Sequence, residues 1–231
     1  IESMGRFLLS HGVTSFCPTT ATVSSDTIKA AIRAAKQVHE HPIKDGAKVA
    51  GMNLEGPFFS RERKGAQNEE FLLAPDFELF KEWYDLSGGL VKLIDLATEQ
   101  PGGEDFVKKA KELCTVSIAH TTASYEDAKD AFDWGVTHVT HLFNAMNGLH
   151  HRKPGVVGAA LEDERVRAEL ICDGEHIHPA VLKIALNVLG DRALIVSDSL
   201  RANGMPEGAE YDLGGQTVRI SGGKCVLPDG T

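Results

Sequence analysis

The chain has 231 residues, enough for one large α/β domain with a sizeable core, and its net charge of −9 argues against nucleic acid or an anionic membrane as the main partner. No stretch is apolar and long enough to span a bilayer, and no signal peptide is visible. The 4 cysteines are scattered without a C-x-x-C pair, which predicts buried free thiols and fits a cytoplasmic protein.

Strand-like and helix-like segments alternate along the sequence. The chain opens inside a helix-like run at Ile1 and stops abruptly at Thr231, so we expect an internal piece of a longer protein. Ser24 or Ser25, Asp76, Ser124 and Pro179 are start signals for later helices. The predicted strands are 14–17, 48–54, 90–96, 115–119, 136–140, 169–172 and 193–196. This strict alternation of β and α implies parallel pairing.

Two architectures are compatible with that order, a doubly wound open sheet and a (β/α)8 TIM-type barrel. The open sheet often carries a glycine-rich phosphate loop, and neither G-x-G-x-x-G nor a Walker loop occurs here. In a barrel, functional side chains lie at the carboxyl ends of several strands. We therefore predict an incomplete barrel over residues 1–205, with its first strand missing. Gly-Gly and Pro-Asp-Gly turns predict the start of a small antiparallel β-domain over residues 206–231, also truncated.

The stretch 136–148, VTHVTHLFNAMNG, centres on a histidine at the end of a predicted strand. His141 occupies that position, and Glu55, His120 and Asp198 end other strands in the same way. One carboxylate and two imidazoles suit a divalent cation such as Zn²⁺, Fe²⁺ or Co²⁺, with a position left for water. Asp198 could then accept a proton from that water. His176 lies just past another strand end.

A family resemblance follows from five of these segments taken together, NLEGPF, SIAHT, THLFNAM, ICDGEHIHP and VSDSLRANGMPEG. They resemble the N-acetylglucosamine-6-phosphate deacetylase family of the amidohydrolase superfamily. The resemblance implies a metal-dependent hydrolase with a (β/α)8 barrel, a small β-domain built from both chain ends, and a homodimer. It also implies a divalent metal, Zn or Fe, with one or two ions per chain.

The resemblance assigns a role to each matching position. It implies metal ligands at Glu55, His120 and His141, and a general base and acid at Asp198. It implies that Arg152, in the basic loop HHRK, reaches the substrate phosphate from the neighbouring subunit. From the residues alone, that loop could equally be a solvated charge cluster. The other implied substrate-binding residues are Ala66, Gln67, Asn144, Ala145, Asp173, Gly174, Glu175 and His176.

One position departs from the family pattern. The chain reads KGAQN where the family often reads KGAHN, so Gln67 replaces a histidine that helps bind substrate.

The expected reaction is hydrolysis of the acetamide of N-acetylglucosamine 6-phosphate to glucosamine 6-phosphate and acetate. The alternatives are the same reaction on N-acetylgalactosamine 6-phosphate, and a non-catalytic sugar-phosphate sensor with this fold.

Overall fold

The computed structural model describes residues 1–222 and 224–227. The helices are α1 (Glu2–Ser10), α2 (Ser25–Glu40), α3 (Phe77–Ser87), α4 (Gly103–Ala110), α5 (Tyr125–Trp134), α6 (Gly155–Glu162) and α7 (Pro179–Leu189). The strands are β1 (Ser15–Phe16), β2 (Thr19–Thr20), β3 (Lys48–Val49), β4 (Met52–Glu55), β5 (Val91–Leu96), β6 (Thr115–Ile118), β7 (His138–Val139), β8 (Arg167–Ile171), β9 (Ala193–Val196), β10 (Glu210–Leu213), β11 (Gln216–Ser221) and β12 (Lys224–Val226).

A seven-stranded parallel sheet, in the order β2-β4-β5-β6-β7-β8-β9, organises the molecule. In a flat sheet the ends of β4 and β7 would lie about 14 Å apart, since neighbouring strands are about 4.8 Å apart. Instead, the side chains of Glu55 and His141 meet, with 3.7 Å between Oε1 and Nε2. The sheet is therefore curled, with its carboxyl ends around a common space. The α/β class and parallel pairing are confirmed.

The two faces of the sheet differ in chemistry. The outer face is apolar and packs against the helices, with Leu54, Ile94 and Ile118 fully buried in that core. Strand register places Glu55, Asp95 and Ser117 side by side on three neighbouring strands, so they share the inner face. The curled sheet thus directs polar side chains inward and apolar ones towards the helices.

The predicted strand 48–54 is divided in the structure into β3 and β4, and a further short strand, β2, follows the predicted strand 14–17. β1 pairs in parallel with β3, whereas β2 pairs with β4 in the large sheet. Pro18 separates β1 from β2, and a proline cannot donate a backbone hydrogen bond to the ladder. Its carbonyl oxygen still accepts from the amide of Asn53 at 3.1 Å. The sequence predicted the strand positions but not these interruptions.

The last described segment is a three-stranded antiparallel sheet in the order β10-β11-β12. Gly214 and Gly215 join β10 to β11, and both have positive φ, 60° and 86°, as a two-residue hairpin turn of type I′ requires. The hairpin lies at the Gly-Gly turn that the sequence predicted. A separate β-domain that starts at residue 206 stays a prediction, and the predicted Pro-Asp-Gly turn lies outside the described residues.

The cysteines correct one expectation. All four are free, as predicted, but Cys17, Cys172 and Cys225 are exposed and Cys114 is half-buried. Proximity to apolar strand segments did not make them part of the core: Cys17, Cys114 and Cys172 each lie just outside the end of a strand, and Cys225 lies at an exposed position within β12. Separately, none of the described helices is both long and apolar enough to cross a lipid bilayer.

Candidate metal and catalytic site

The three predicted metal ligands meet at the carboxyl edge of the sheet. Glu55 is the last residue of β4, while His120 and His141 follow β6 and β7 in the short turns that leave them. Both histidines have left-handed backbones, with φ of 46° and 35°. Non-glycine residues rarely adopt this conformation, and it is concentrated at functional sites. Here it turns the chain as it leaves the strand.

The ligand atoms of this metal cluster, Glu55, His120 and His141, are close together. Nε2 of His120 lies 3.0 Å from Oε1 of Glu55 and 3.2 Å from Nε2 of His141. Nitrogen and oxygen ligands at ~2.1 Å from a tetrahedral ion are separated from one another by ~3.4 Å. The cluster therefore fits one divalent ion, and within the described residues it is the only group of three or more ligand-type side chains with this spacing.

Contacts around the cluster orient two of its members. Nδ1 of His120 lies 2.9 Å from the carbonyl oxygen of Arg63, the kind of contact that fixes a metal-binding imidazole with Nε2 towards the ion. Gln67 donates from Nε2 to Oε1 of Glu55 at 2.9 Å, while its own Oε1 accepts from the amide of Thr22 at 2.7 Å. Gln67 therefore has a defined orientation beside the carboxylate.

The electrostatics of the cluster favour an ionised carboxylate. Burial opposes ionisation of Glu55, but the hydrogen bond from His120 and the nearby imidazole of His141 hold its pKa well below the usual range. Burial likewise works against protonated His141, yet the nearby carboxylate of Glu55 raises the pKa of that imidazole to about 9. The pocket therefore attracts positive charge, and a divalent cation could replace the proton held there.

Asp198 follows β9 with a left-handed backbone, φ 44°. Asp198 is exposed to solvent, but the surrounding protein still partly desolvates its carboxyl. That desolvation, and then the negative charge of Glu55, raise the pKa of the carboxyl, whereas the charges of His141 and His176 act to lower it. Asp198 is thus within electrostatic range of the metal cluster and of the loop after β8. A raised carboxyl pKa at such a place suits a group that exchanges protons.

The loop after β8 contains the predicted segment 173–176. Oδ1 of Asp173 accepts from the amides of Glu175 and His176, each at 2.9 Å, and Oδ2 lies 2.6 Å from Nδ1 of His176. Backbone and side-chain hydrogen bonds thereby overcome the effect of burial and lower the pKa of Asp173. The loop holds an exposed imidazole in a fixed orientation, and Gly174 provides its positive φ of 82°.

The remaining predicted residues lie on the loops over the same edge. Nδ2 of Asn144 donates to the carbonyl oxygen of His141 at 3.2 Å, and Ala145 has a φ of 51°. The carbonyl oxygen of Ala66 accepts from Nε2 of Gln216 at 2.8 Å. Arg152 is exposed in the loop between β7 and α6, where its backbone amide donates to Nδ1 of His150 at 3.3 Å.

Two carboxylates near the site are absent from the sequence-based prediction. Glu169 lies within β8 and is partly buried, with its carboxylate oxygens 3.0 Å from Nε2 of His138 and 3.4 Å from the amide of His141. Asp95 lies within β5 and is fully buried. Burial, then the charges of Glu55 and Glu169, raise the pKa of Asp95 well above its usual value. The available signal was an acidic residue inside a mostly apolar strand.

Comparison with known proteins agrees with this geometry. No protein-family model matches the chain. N-acetylglucosamine-6-phosphate deacetylase from Lysinibacillus sphaericus is 40% identical over 231 residues, covering 98% of this chain and 59% of the relative. N-acetylgalactosamine-6-phosphate deacetylase from Escherichia coli O157:H7 is 36% identical over 224 residues, covering 96% of this chain and 59% of the relative.

Solved structures give the same result. One is a mutant of N-acetyl-D-glucosamine-6-phosphate deacetylase from Mycobacterium smegmatis in complex with N-acetyl-D-glucosamine-6-phosphate. It superposes with a TM-score of 0.88 at 29% identity, over 94% of this chain and 56% of the other. The chain thus spans about three fifths of the length of the curated relatives it matches. The resemblance is confirmed: along almost its whole length, the chain is homologous to the N-acetylglucosamine-6-phosphate deacetylases.

Proposed function

We propose that this protein hydrolyses the acetamide of N-acetylglucosamine 6-phosphate to glucosamine 6-phosphate and acetate. The observation that carries the proposal is the metal cluster of Glu55, His120 and His141, with Asp198 in electrostatic range of it. Homology to deacetylases named for this substrate supports the choice of reaction. On this proposal the curled sheet is part of a (β/α)8 barrel. The protein would also have a small β-domain, and it would act in the cytoplasm.

The metal cluster would hold a divalent ion, zinc or iron, with one or two ions per chain. Two imidazole nitrogens and one carboxylate oxygen match the preferences of these metals, and their spacing fits a single ion. Such an ion, when bound, polarises a carbonyl group and makes a water molecule more acidic. An amide carbonyl is a poor electrophile, so this reaction needs that assistance.

Asp198 would handle the proton. An amine is a poor leaving group, and the nitrogen of the acetamide must therefore be protonated as the C–N bond breaks. Partial desolvation and the charge of Glu55 raise the pKa of Asp198, which brings it closer to neutral pH than an ordinary aspartate. Asp198 would accept the proton of the attacking water and then donate it to the departing nitrogen.

The surrounding loops would bind the sugar phosphate. Asn144 and Ala145 lie next to His141 and would hold the phosphate with Arg152, which acts from the neighbouring subunit of a homodimer. His176, oriented by Asp173, would contact the sugar, with Gly174 and Glu175 lining the same loop. Ala66 and Gln67 would line the opposite side. Binding energy from the phosphate, remote from the scissile bond, would orient the acetamide for attack.

An acetate-release assay on purified full-length protein tests the function. The expected result is metal-dependent turnover of N-acetylglucosamine 6-phosphate, lost with a chelator and restored by added Zn²⁺ or Fe²⁺. Unphosphorylated N-acetylglucosamine is the control, and it should be a much poorer substrate. Tight binding of the sugar phosphate without acetate release, in protein with its metal, would instead indicate a non-catalytic sensor.

A second candidate substrate is N-acetylgalactosamine 6-phosphate. The observation in its favour is Gln67, which differs from the histidine that the family often has, together with a relative named for that activity. Gln67 can donate a hydrogen bond but cannot carry a charge. The two sugars differ at one hydroxyl group, so kcat/KM for each substrate, in the wild type and in Gln67→His, would show which sugar the site prefers.

A further inference from the structure

Beneath the metal cluster, the inner face of the sheet carries a buried hydrogen-bonded network. Asp95 is fully buried at its centre. Its Oδ2 accepts from Nδ2 of Asn53 at 2.8 Å, and its Oδ1 accepts from the hydroxyl of Thr140 at 2.9 Å. The Thr140 hydroxyl also lies 2.7 Å from that of Ser117. Branched apolar side chains usually fill the interior of parallel α/β barrels, so these polar residues need an explanation.

The network connects the strands that carry the metal cluster. Asn53 lies on β4, two residues before Glu55. Ser117 lies on β6, in the segment that leads to His120. Thr140 directly precedes His141. Asp95, on β5, is the register partner of Glu55. Hydrogen bonds thus run across β4, β5, β6 and the end of β7, and each strand that carries a ligand contributes one residue.

We propose that Asp95 is a positioning residue, which fixes the separation of the three ligand-bearing strand ends. The inference rests on the proposed metal site. Asp95 is not part of the metal cluster, so it would act through Asn53 and Thr140. Metal–ligand distances tolerate deviations of only ~0.2 Å, and a small displacement of one strand end would weaken binding.

The energetics of the network support this role. Asn53 has no other partner for Nδ2 among the described residues, and its Oδ1 is buried without a partner. Removing Asp95 would leave the Asn53 amide with an unsatisfied donor in the interior, and the Thr140 hydroxyl would keep only its contact with Ser117. The strand ends would then shift to satisfy those groups, and the ligands at the strand ends would move with them.

Zn²⁺ affinity, measured by chelator competition on full-length protein, tests the inference. Asp95→Leu should weaken binding by about 10-fold, the low end of the range for groups that hydrogen-bond directly to metal ligands, because Asp95 reaches the ligands only through Asn53 and Thr140. Asp95→Asn keeps the size of the side chain and one hydrogen-bond acceptor, so its Zn²⁺ affinity should fall much less. Ser87→Ala is the matched control, because it removes a buried hydroxyl that accepts from Val91, at the opposite end of β5. The Zn²⁺ affinity of Ser87→Ala should equal that of the wild type, even if the variant is less stable.

Circular dichroism of the metal-free variants separates folding from positioning. If Asp95→Leu does not fold, Thr140→Val decides, since it removes one contact to Asp95 while keeping the side-chain shape. Wild-type Zn²⁺ affinity in a folded Asp95→Leu variant would overturn the role of Asp95 and leave the proposed metal site intact. If Asp95→Leu does not fold, the same result for Thr140→Val would overturn it. A wild-type protein that binds no Zn²⁺ or Fe²⁺ would overturn the metal site itself, and the inference with it.

Discussion

His138 and His141 are two buried histidines in one short segment, and the structure gives them different surroundings. Nε2 of His141 faces Glu55 and His120, whereas Nε2 of His138 faces Glu169 at 3.0 Å. The difference follows from position: His138 lies within β7, where its neighbours are strand residues, and His141 lies in the turn that follows. A histidine beyond a strand end is free to bind something outside the sheet.

His141→Ala should therefore lose the metal while His138→Gln keeps it. Glutamine can still donate to Glu169, so the control preserves the interior contact of the native histidine. His120→Ala should behave as His141→Ala does. Metal content by elemental analysis, with circular dichroism to check folding, measures the effect. Full metal occupancy in both alanine variants would refute the assignment of these ligands.

Asp198→Asn should retain metal and substrate binding but reduce kcat by about two to four orders of magnitude, the usual contribution of a general acid or base. Asparagine has the same shape and cannot take up the proton. Single-turnover kinetics and a binding measurement would separate the two effects. Near-normal turnover would exclude Asp198 as the group that transfers the proton.

The pH dependence gives an independent test of Asp198. As a base it must be deprotonated, so kcat/KM should fall as the pH drops through its pKa. In the metal-free chain, partial desolvation and the charge of Glu55 raise that pKa, whereas a bound cation would act to lower it, so the test is the presence of the acid limb and not its exact position. That limb should disappear in Asp198→Asn. An unchanged acid limb in the variant would assign it to another group.

Sequence reasoning found the residues at the strand ends and missed those inside the strands. A polar residue that ends an apolar run can be recognised from its own position in the sequence. This is the case for Glu55, His120, His141 and Asp198. Asp95 is stable inside β5 because Asn53 and Thr140 hydrogen-bond to it. Those partners are distant in sequence, and only the sheet register brings them together.

At the scale of elements, local chemistry predicted the helix starts well. Ser24, Asp76 and Ser124 accept hydrogen bonds from backbone amides at the starts of α2, α3 and α5. Each capping side chain and the amide that donates to it are only three residues apart, so the sequence alone contains the complete signal. The division of 48–54 into β3 and β4 depends on which neighbour each half pairs with, and that is a property of the folded sheet.

Ser124 offers a direct measure of one such signal. Its side chain accepts from the amide of Asp127 at 3.1 Å, and the carboxylate of Asp127 accepts from the amide of Ser124 at 2.8 Å. Ser124→Ala removes half of this capping box and should lower the free energy of unfolding by about 1 kcal/mol. Ser124→Thr keeps the oxygen and serves as the control. Equal denaturant midpoints for the two variants would contradict the role of the cap.

At the scale of the whole molecule, the open question is whether one chain contains a complete site. The metal cluster and Asp198 belong to a single curled sheet, so they need no second chain. Arg152 is different, because it is an exposed cation in a chain of net charge −9. A sugar phosphate is a dianion at neutral pH, and a guanidinium group can bind it through two parallel hydrogen bonds.

Arg152→Ala should weaken binding of N-acetylglucosamine 6-phosphate by about 1.5 to 3 kcal/mol, the range for hydrogen bonds to charged groups. Turnover of unphosphorylated N-acetylglucosamine should change much less, since that substrate has no phosphate to contact. Lys153→Ala, the neighbouring cation in the same loop, is the matched control for a general loss of charge. Equal losses in the two variants would favour a solvated charge cluster over a specific phosphate contact.

Mixing Arg152→Ala subunits with Asp198→Asn subunits tests whether Arg152 acts across a dimer interface. If it does, a mixed dimer carries both defects in one site and has both native residues in the other. Activity should then partly recover on mixing, to at most about half of the wild-type value per mixed dimer. If Arg152 acts within its own chain, every site in the mixture keeps one defect and activity stays low. Subunit exchange, followed with a tag on one variant, must be established first, because only then does an absence of recovery exclude the shared site.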